Sequence, residues 1–249
     1  MLQRLKDKVA LVSGATSGIG KAIAFLFAEE GAKVVFCGRR QELGEAIQNE
    51  IRAKGGDCLF VRTDITNLEE LKALVDETVT SYGGIDILVN NAGRSVPFRL
   101  EEMDLDRDYT PIFDLNIKSY FMLTSLAVRH MLTKGKGAIV NTASLAGIEG
   151  LDQYSSYCAT KGAVIQFTKA LAVEYASRGI RVNCLVPGLT NTELIPEGCD
   201  FEKLVLPSVP MGRSGKPIEI ARAALSLASE ESSYCTGVAL VIDGGKSVL

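Results

Sequence analysis

Seven short, almost wholly apolar runs alternate with helical patterns along this chain, and that alternation restricts the available folds more than any other feature. The runs are Lys8 to Ser13, Lys33 to Cys37, Cys58 to Arg62, Ile85 to Val89, Ala138 to Thr142, Arg181 to Val186 and Val238 to Ile242. Between them lie helical stretches: one opening near Gly18 and stopped by Gly31, then Gln41 to Ala53, Leu68 to Tyr82, Phe113 to Met131, Ser155 to Ala176 and Pro217 to Ala228. A strand wetted on one face alternates polar and apolar residues, whereas a run apolar throughout is buried on both faces. Such strands, joined by helices, make a parallel sheet with helices on both sides. The 249 residues contain no linker, low-complexity segment or tandem repeat. They read as one doubly wound α/β domain over 1–249, with a seven-stranded parallel sheet.

Composition removes several function classes. A net charge of −3 gives no electrostatic case for nucleic acid or an acidic membrane surface. No apolar stretch reaches the 18 or so residues of a membrane span, and the N-terminus lacks the apolar core of a signal peptide. Cytoplasmic residence is the default expectation. The six cysteines (37, 58, 158, 184, 199 and 235) form no C-x-x-C pair, so they read as reduced, mostly buried thiols rather than a zinc site or disulfide frame. No metal is expected. His130, the only histidine, falls in a helical pattern and reads as structural, which sets aside histidine-based acid–base chemistry.

The turn after the first strand is Ser13-Gly-Ala-Thr-Ser-Gly-Ile-Gly20, with glycines at 14, 18 and 20. Glycines let backbone approach a pyrophosphate, and a helix starting at Gly18 offers unsatisfied N–H groups and a positive dipole end. A tight turn with no ligand would need the same glycines, but the position on the first turn of a parallel α/β chain favours a nucleotide. Thr16, Ser17 and Ile19 belong to that cradle. A dinucleotide site for NAD usually places an acid about 20 residues on, to bind the ribose 2′-hydroxyl. Here the second strand ends Cys37-Gly-Arg-Arg-Gln41. No carboxylate repels a 2′-phosphate, and Arg39 and Arg40 can pair with one. NADP(H) is therefore favoured, with NAD(H) possible. Asp64, with Ile65, follows the third strand, where a carboxylate can reach an adenine edge. Asn90-Asn91-Ala92-Gly93 follows the fourth strand, where Asn91, Ala92 and Gly93 can line the cofactor or simply hold the turn.

Tyr157 and Lys161 are four apart in the helix after the fifth strand, and so share one face. A phenol is a poor base near neutrality, and a neighbouring ammonium favours the phenolate. Ser144, at the end of the fifth strand, adds a hydroxyl that can hydrogen-bond a substrate oxygen.

Together these residues resemble the short-chain dehydrogenase/reductase family over essentially the whole chain. The resemblance rests on Gly14-x-x-x-Gly18-x-Gly20, Asp64, Asn90-Asn91-Ala92-Gly93, Asn116, Ser144, Tyr157-x-x-x-Lys161, Pro187-Gly188 and Asp243-Gly244-Gly245. It implies a Rossmann-type fold and reversible hydride transfer between a secondary alcohol and a ketone. Tyr157 would be the general acid–base, and Lys161 would bind the nicotinamide ribose and lower the phenol's pKa. Ser144 would polarise the substrate oxygen, and Asn116 would hold a water in a proton relay. Pro187, Gly188, Thr190 and Thr192 would lie at the carboxamide. Two departures are Ser13, where the family has threonine, and Ser17, where many NADP-preferring members carry a basic residue. That leaves Arg39 as the main candidate for a 2′-phosphate.

The substrate pocket is expected between Arg94 to Arg99, Leu145 to Tyr154 and Leu189 to Met211, with residues 189–212 as an apolar lid. The lid hints at a hydrophobic, hydroxysteroid-like alcohol or ketone. A 3-oxoacyl-carrier-protein reductase, a polyol or sugar dehydrogenase and a non-catalytic nucleotide sensor are the alternatives. The resemblance also implies a homo-oligomer, often a tetramer, packed through the helices after strands four and five.

Overall fold

The computed structural model describes residues 3–248. Its seven strands are β1 (Val9–Val12), β2 (Lys33–Gly38), β3 (Asp57–Arg62), β4 (Ile87–Asn90), β5 (Gly137–Thr142), β6 (Ile180–Pro187) and β7 (Ala239–Ile242). All pair in parallel, in the order β3-β2-β1-β4-β5-β6-β7. The chain runs outward from β1 to β3, returns to β4 beside β1, and continues outward the other way. Between β1 and β4 the order reverses, which opens the crevice beyond the strands' carboxyl ends.

The helices are α1 (Gly18–Glu29), α2 (Gln41–Ala53), α3 (Leu68–Tyr82), α4 (Thr110–Phe113), α5 (Ser119–Lys134), α6 (Ser155–Tyr175), α7 (Asp200–Val205) and α8 (Pro217–Ala228). Side chains alternate sides along each strand. Ala10, Val12, Val34 and Phe36 meet Ile23 and Phe27 of α1 and Ile220 and Leu225 of α8. Leu11, Val35, Leu88, Ile139 and Val182 meet Leu71 and Leu74 of α3, Leu123 of α5 and Val164 of α6. Burying a side chain such as Phe27 or Leu88 is worth about 2 kcal/mol, so both faces must be covered for the sheet to persist. Except for the helix expected from Phe113 to Met131, strand and helix edges fall within two residues of the sequence reading.

The main departure lies before α5. The helix expected from Phe113 begins earlier, winding through Leu105–Tyr109, α4 and Asp114–Lys118 before joining α5. The segments at 105–109 and 114–118 are wider, π-type turns, which displace one residue per turn and often mark functional positions. The second of them carries Asn116. α7 is a short helix inside the expected lid that the sequence pattern does not predict. Among the described residues no helix is long and apolar enough to cross a membrane. Cys37, Cys58 and Cys184 are buried and the other three cysteines half-buried, all as free thiols.

Candidate active site

A cleft of about 390 Å³ lies at the carboxyl ends of β1 to β6. It brings together nearly all the residues singled out from the sequence: Gly14, Thr16 to Ile19, Arg39, Arg40, Asp64, Ile65, Asn91 to Gly93, Ser144, Tyr157, Lys161, Pro187, Gly188, Thr190 and Thr192. Two do not line it. Gly20 is buried under the turn, where a Cβ would stand 2.4 Å from both Asn91 Nδ2 and Gly14 O. It lets α1 seat against the β4 turn and so acts through packing rather than ligand contact. Asn116, fully buried, sits behind the wall.

At the phosphate end the two turns are stitched by side chains. The Ser13 hydroxyl accepts the Asn91 N–H at 3.1 Å, and Asn91 Nδ2 donates to Gly14 O at 3.0 Å. Ser13 thus keeps the hydroxyl that a threonine would supply. Asn90 is structural: its amide donates to Thr124 Oγ1 and Asn141 Oδ1 in the core. Ser17 occupies the N-cap of α1 without capping it through its side chain, so the first N–H groups of the helix are left for an anion. The two arginines differ. Arg40 is engaged, donating to Thr16 Oγ1 (3.1 Å) and Ser17 Oγ (2.8 Å) and pairing with Glu193 (3.1 Å). Arg39 lines the cleft and makes no ion pair with any described residue. Burial alone would raise Asp64. Hydrogen bonds from the Thr66 N–H and hydroxyl, with Arg39 and Arg62 nearby, outweigh it and hold the carboxyl below its ordinary value.

At the other end, Ser144 follows β5 and caps the short turn Leu145–Gly147, accepting the Ala146 N–H at 3.2 Å. That turn packs directly on α6: a Cβ on Gly147 would lie 2.7 Å from the Lys161 carbonyl carbon. Only glycine brings Ser144 this close to the helix bearing Tyr157 and Lys161. Lys161 is 3% exposed, and its Nζ donates to Thr142 O at 2.8 Å. Its Nζ stands 5.8 Å from the centre of the Tyr157 ring, and burial pushes its pKa down to about 8. Tyr157 departs from the sequence expectation. Its pKa is raised, because burial disfavours the phenolate and only the Ser144 hydroxyl pulls the other way. A lysine that is itself buried and turned toward Thr142 O does not offset that burial.

Asn116 clasps the loop after β4. Its Oδ1 accepts the Arg94 N–H, and its Nδ2 donates to Arg94 O, both at 2.9 Å, with a third bond to Thr160 Oγ1 at 3.1 Å. It therefore fixes Gly93–Arg94 against α6. Gly38, Thr63, Thr142 and Ala143 also line the cleft, placed there by the strand ends without a side-chain signature, while Leu115 arrives from the π-type turn at 114–118 and Glu193 from the segment after β6, where it pairs with Arg40. Over the cleft, Leu194 and Ile195 come from the 189–212 segment, and Phe201 of α7 packs edge-on to Tyr154 at 6.1 Å. The buried Glu202 carboxylate accepts the Gly198 N–H and the Ser214 hydroxyl, and the Ser214 bond holds its pKa low. Among the described residues no cluster of His, Cys, Asp or Glu is arranged to hold a metal.

A free cationic side chain, an uncapped helix terminus and a glycine-lined wall fit a dinucleotide, and comparison with known proteins agrees. Residues 14–247 match the family model described as Enoyl-(Acyl carrier protein) reductase. The chain is 42% identical to 2,5-dichloro-2,5-cyclohexadiene-1,4-diol dehydrogenase LinX of Sphingobium indicum, covering 100% of this chain and 99% of that one. It is 40% identical to the 3-oxoacyl-[acyl-carrier-protein] reductase FabG of Thermotoga maritima (97% and 98% covered) and 39% to L-fucose dehydrogenase of Mus musculus (97% and 89%). A short-chain type dehydrogenase/reductase from Mycobacterium marinum superposes with a TM-score of 0.95 at 39% identity, covering 100% and 98%. Dehydrogenases of this kind use NAD(P)(H). The chain belongs to the short-chain dehydrogenase/reductase family and is an oxidoreductase acting on CH–OH donors.

Proposed function

We propose that the protein is an NADP(H)-preferring enzyme that interconverts a secondary alcohol and a ketone, with Tyr157 as the general acid–base. The observation that carries this reading is that Ser144, Tyr157 and Lys161 line the same cleft as the uncapped end of α1. Gly14 and Thr16 to Ile19 would cradle the pyrophosphate, Asp64 and Ile65 the adenine, and Pro187, Gly188, Thr190 and Thr192 the carboxamide. A nicotinamide cofactor held by these residues would supply or take up the hydride. In reduction the Tyr157 hydroxyl gives its proton to the carbonyl oxygen, which the Ser144 hydroxyl holds by a hydrogen bond. The Lys161 ammonium then stabilises the phenolate left behind, and Asn116 keeps Gly93–Arg94 in place beside them. A side chain set of this kind supports catalysis over a non-catalytic sensor.

The preference for NADP(H) rests on Arg39, the guanidinium left free at the end of β2. Steady-state kinetics should show Arg39→Ala raising KM for NADPH about tenfold or more, the value of a lost charge-assisted pair, with little change for NADH. A wild-type preference for NADH would sink this assignment. Residues 189–212 act as the lid; Leu194, Ile195 and Phe201 give it an apolar underside, which supports a substrate with an apolar body. We also read the protein as a cytoplasmic homotetramer. Phe121 of α5 is 54% exposed while packed on Phe167 at 3.9 Å, and Val173 of α6 is 84% exposed. Those two helices therefore present an apolar face that a second copy would cover. Sedimentation should show a tetramer, and a monomer at micromolar concentration would refute it.

A further inference from the structure

A second cavity, of about 450 Å³, adjoins the catalytic cleft and shares Arg94 with it. Val96, Pro97 and Phe98 give it an apolar wall, and Gln153 closes the rim. The Phe98 N–H donates to Gln153 O at 2.8 Å, which joins the loop after β4 to the loop before α6. Gln153 is held with φ +67°, a left-handed conformation that costs a non-glycine residue about 1 kcal/mol or more. The rim is thus fixed by the fold rather than free to collapse into the cavity.

Five charged side chains face this space. Arg107 and Asp108 cancel each other in a bidentate pair, Nε to Oδ1 at 2.8 Å and Nη2 to Oδ2 at 2.6 Å, and Asp108 also accepts the Asp104 N–H. That pair is closed to a ligand. Arg94, Arg99 and Glu102 remain, and none of their charged groups makes a hydrogen bond or ion pair with a described residue. The open part of the cavity therefore carries two free guanidiniums against one carboxylate. The Arg94 backbone is also fixed relative to the chemistry. Asn116 grips it on both sides, and a Cβ on the preceding Gly93 would stand 3.2 Å from Lys161 Nζ.

We propose that Arg94 and Arg99 form a carboxylate subsite, so that the preferred substrate is an oxo acid or hydroxy acid with an apolar body between its reacting carbon and its carboxylate. Guanidinium forks match a carboxylate's two oxygens, and Val96, Pro97 and Phe98 along the cavity give the intervening carbons an apolar surface to pack on. The proposal rests on the alcohol–ketone reading of the cleft and adds the substrate class to it.

The test pairs each acid with its neutral twin. Reduction of 4-oxocyclohexanecarboxylate and 6-oxoheptanoate by NADPH is compared with that of their methyl esters, in wild type, Arg94→Met and Arg99→Met. The wild type should favour an acid over its ester at least about tenfold in kcat/KM, and the ratio should fall toward one in both variants. In parallel, calorimetry measures cyclohexanecarboxylate and cyclohexanecarboxamide binding to the enzyme–NADP+ complex. The acid should bind tighter in wild type and lose that advantage in the variants. Esters reduced as well as acids, with acid and amide bound alike, would overturn the subsite and leave the hydride-transfer reading standing. Selective, arginine-dependent binding of the acid without turnover of any ketone would support the subsite and overturn the proposed reaction.

Discussion

Tyr157→Phe should lower kcat by about 10³-fold, within the range that a positioned acid–base group contributes, while NADPH continues to bind. Removing the hydroxyl leaves the ring, and with it the edge-on packing against Tyr154 at 6.4 Å, so the site keeps its shape. The direction of the pKa shift adds a second expectation. Burial raises the Tyr157 phenol above its ordinary value, so the side chain carries its proton at neutral pH. It is ready to act as the acid in reduction, but must first be deprotonated to act as the base in oxidation. Alcohol oxidation should therefore climb as pH rises from neutrality toward about 8, where Lys161 begins to lose the charge that steadies the phenolate, whereas ketone reduction should hold at neutral pH and decline as the phenol ionises. Stopped-flow measurement of the hydride step in each direction separates this from product release. A Tyr157→Phe enzyme that turned over normally would remove Tyr157 from the reaction.

Much of this site is legible in the sequence because the fold delivers it by rule. Apolar strands joined by helices must form a covered parallel sheet, and ligands then gather at the carboxyl ends of its strands. Gly14, Asp64, Asn91, Ser144 and Gly188 can each be placed simply by asking which residue follows a strand. What the sequence hides depends on contacts between distant segments. Gly20 looks like its partners Gly14 and Gly18, yet it faces Asn91 instead of the cleft, a distinction made by how α1 lands on the β4 turn. Adjacent arginines at 39 and 40 are indistinguishable until Arg40 is seen folded back on Thr16, Ser17 and Glu193. The π-type turn at Asp114–Lys118 has no periodic signature, although it is what buries Asn116 behind Arg94. The balance of burial against charge at Tyr157 and Lys161 is equally invisible, because desolvation is a property of the packed site and not of the four-residue spacing.

Lys161→Met should move activity and stability in opposite directions. Lys161 is buried, faces no carboxylate, and has its pKa pushed down from 10.5 to about 8. Its folded-state value thus lies below its unfolded one. Below pH 8 the folded protein must carry a buried ammonium, at a cost that the gap between 10.5 and 8 puts at about 3 kcal/mol. That cost fades as pH rises from about 8 to 10.5 and is absent above it, where the unfolded chain has also lost the proton. Methionine has a similar length and no charge. It forfeits the bond to Thr142 O, worth about 1 kcal/mol, although the Tyr120 hydroxyl still lies 3.3 Å from that oxygen. The variant should be more stable than wild type by about 2 kcal/mol at pH 7, which raises Tm by roughly 5 °C in a chain of this size. The advantage should shrink to nothing or reverse by pH 10. Its kcat should fall by about 10²-fold or more as the phenolate loses its cation. Thermal unfolding at the two pH values decides the matter: a Tm at pH 7 equal to or below that of wild type would mean that the ammonium is not held at a cost. If the gain is found, it explains why a stability penalty persists at this position, since the charge that burdens the fold is the one that makes a tyrosine usable as a base.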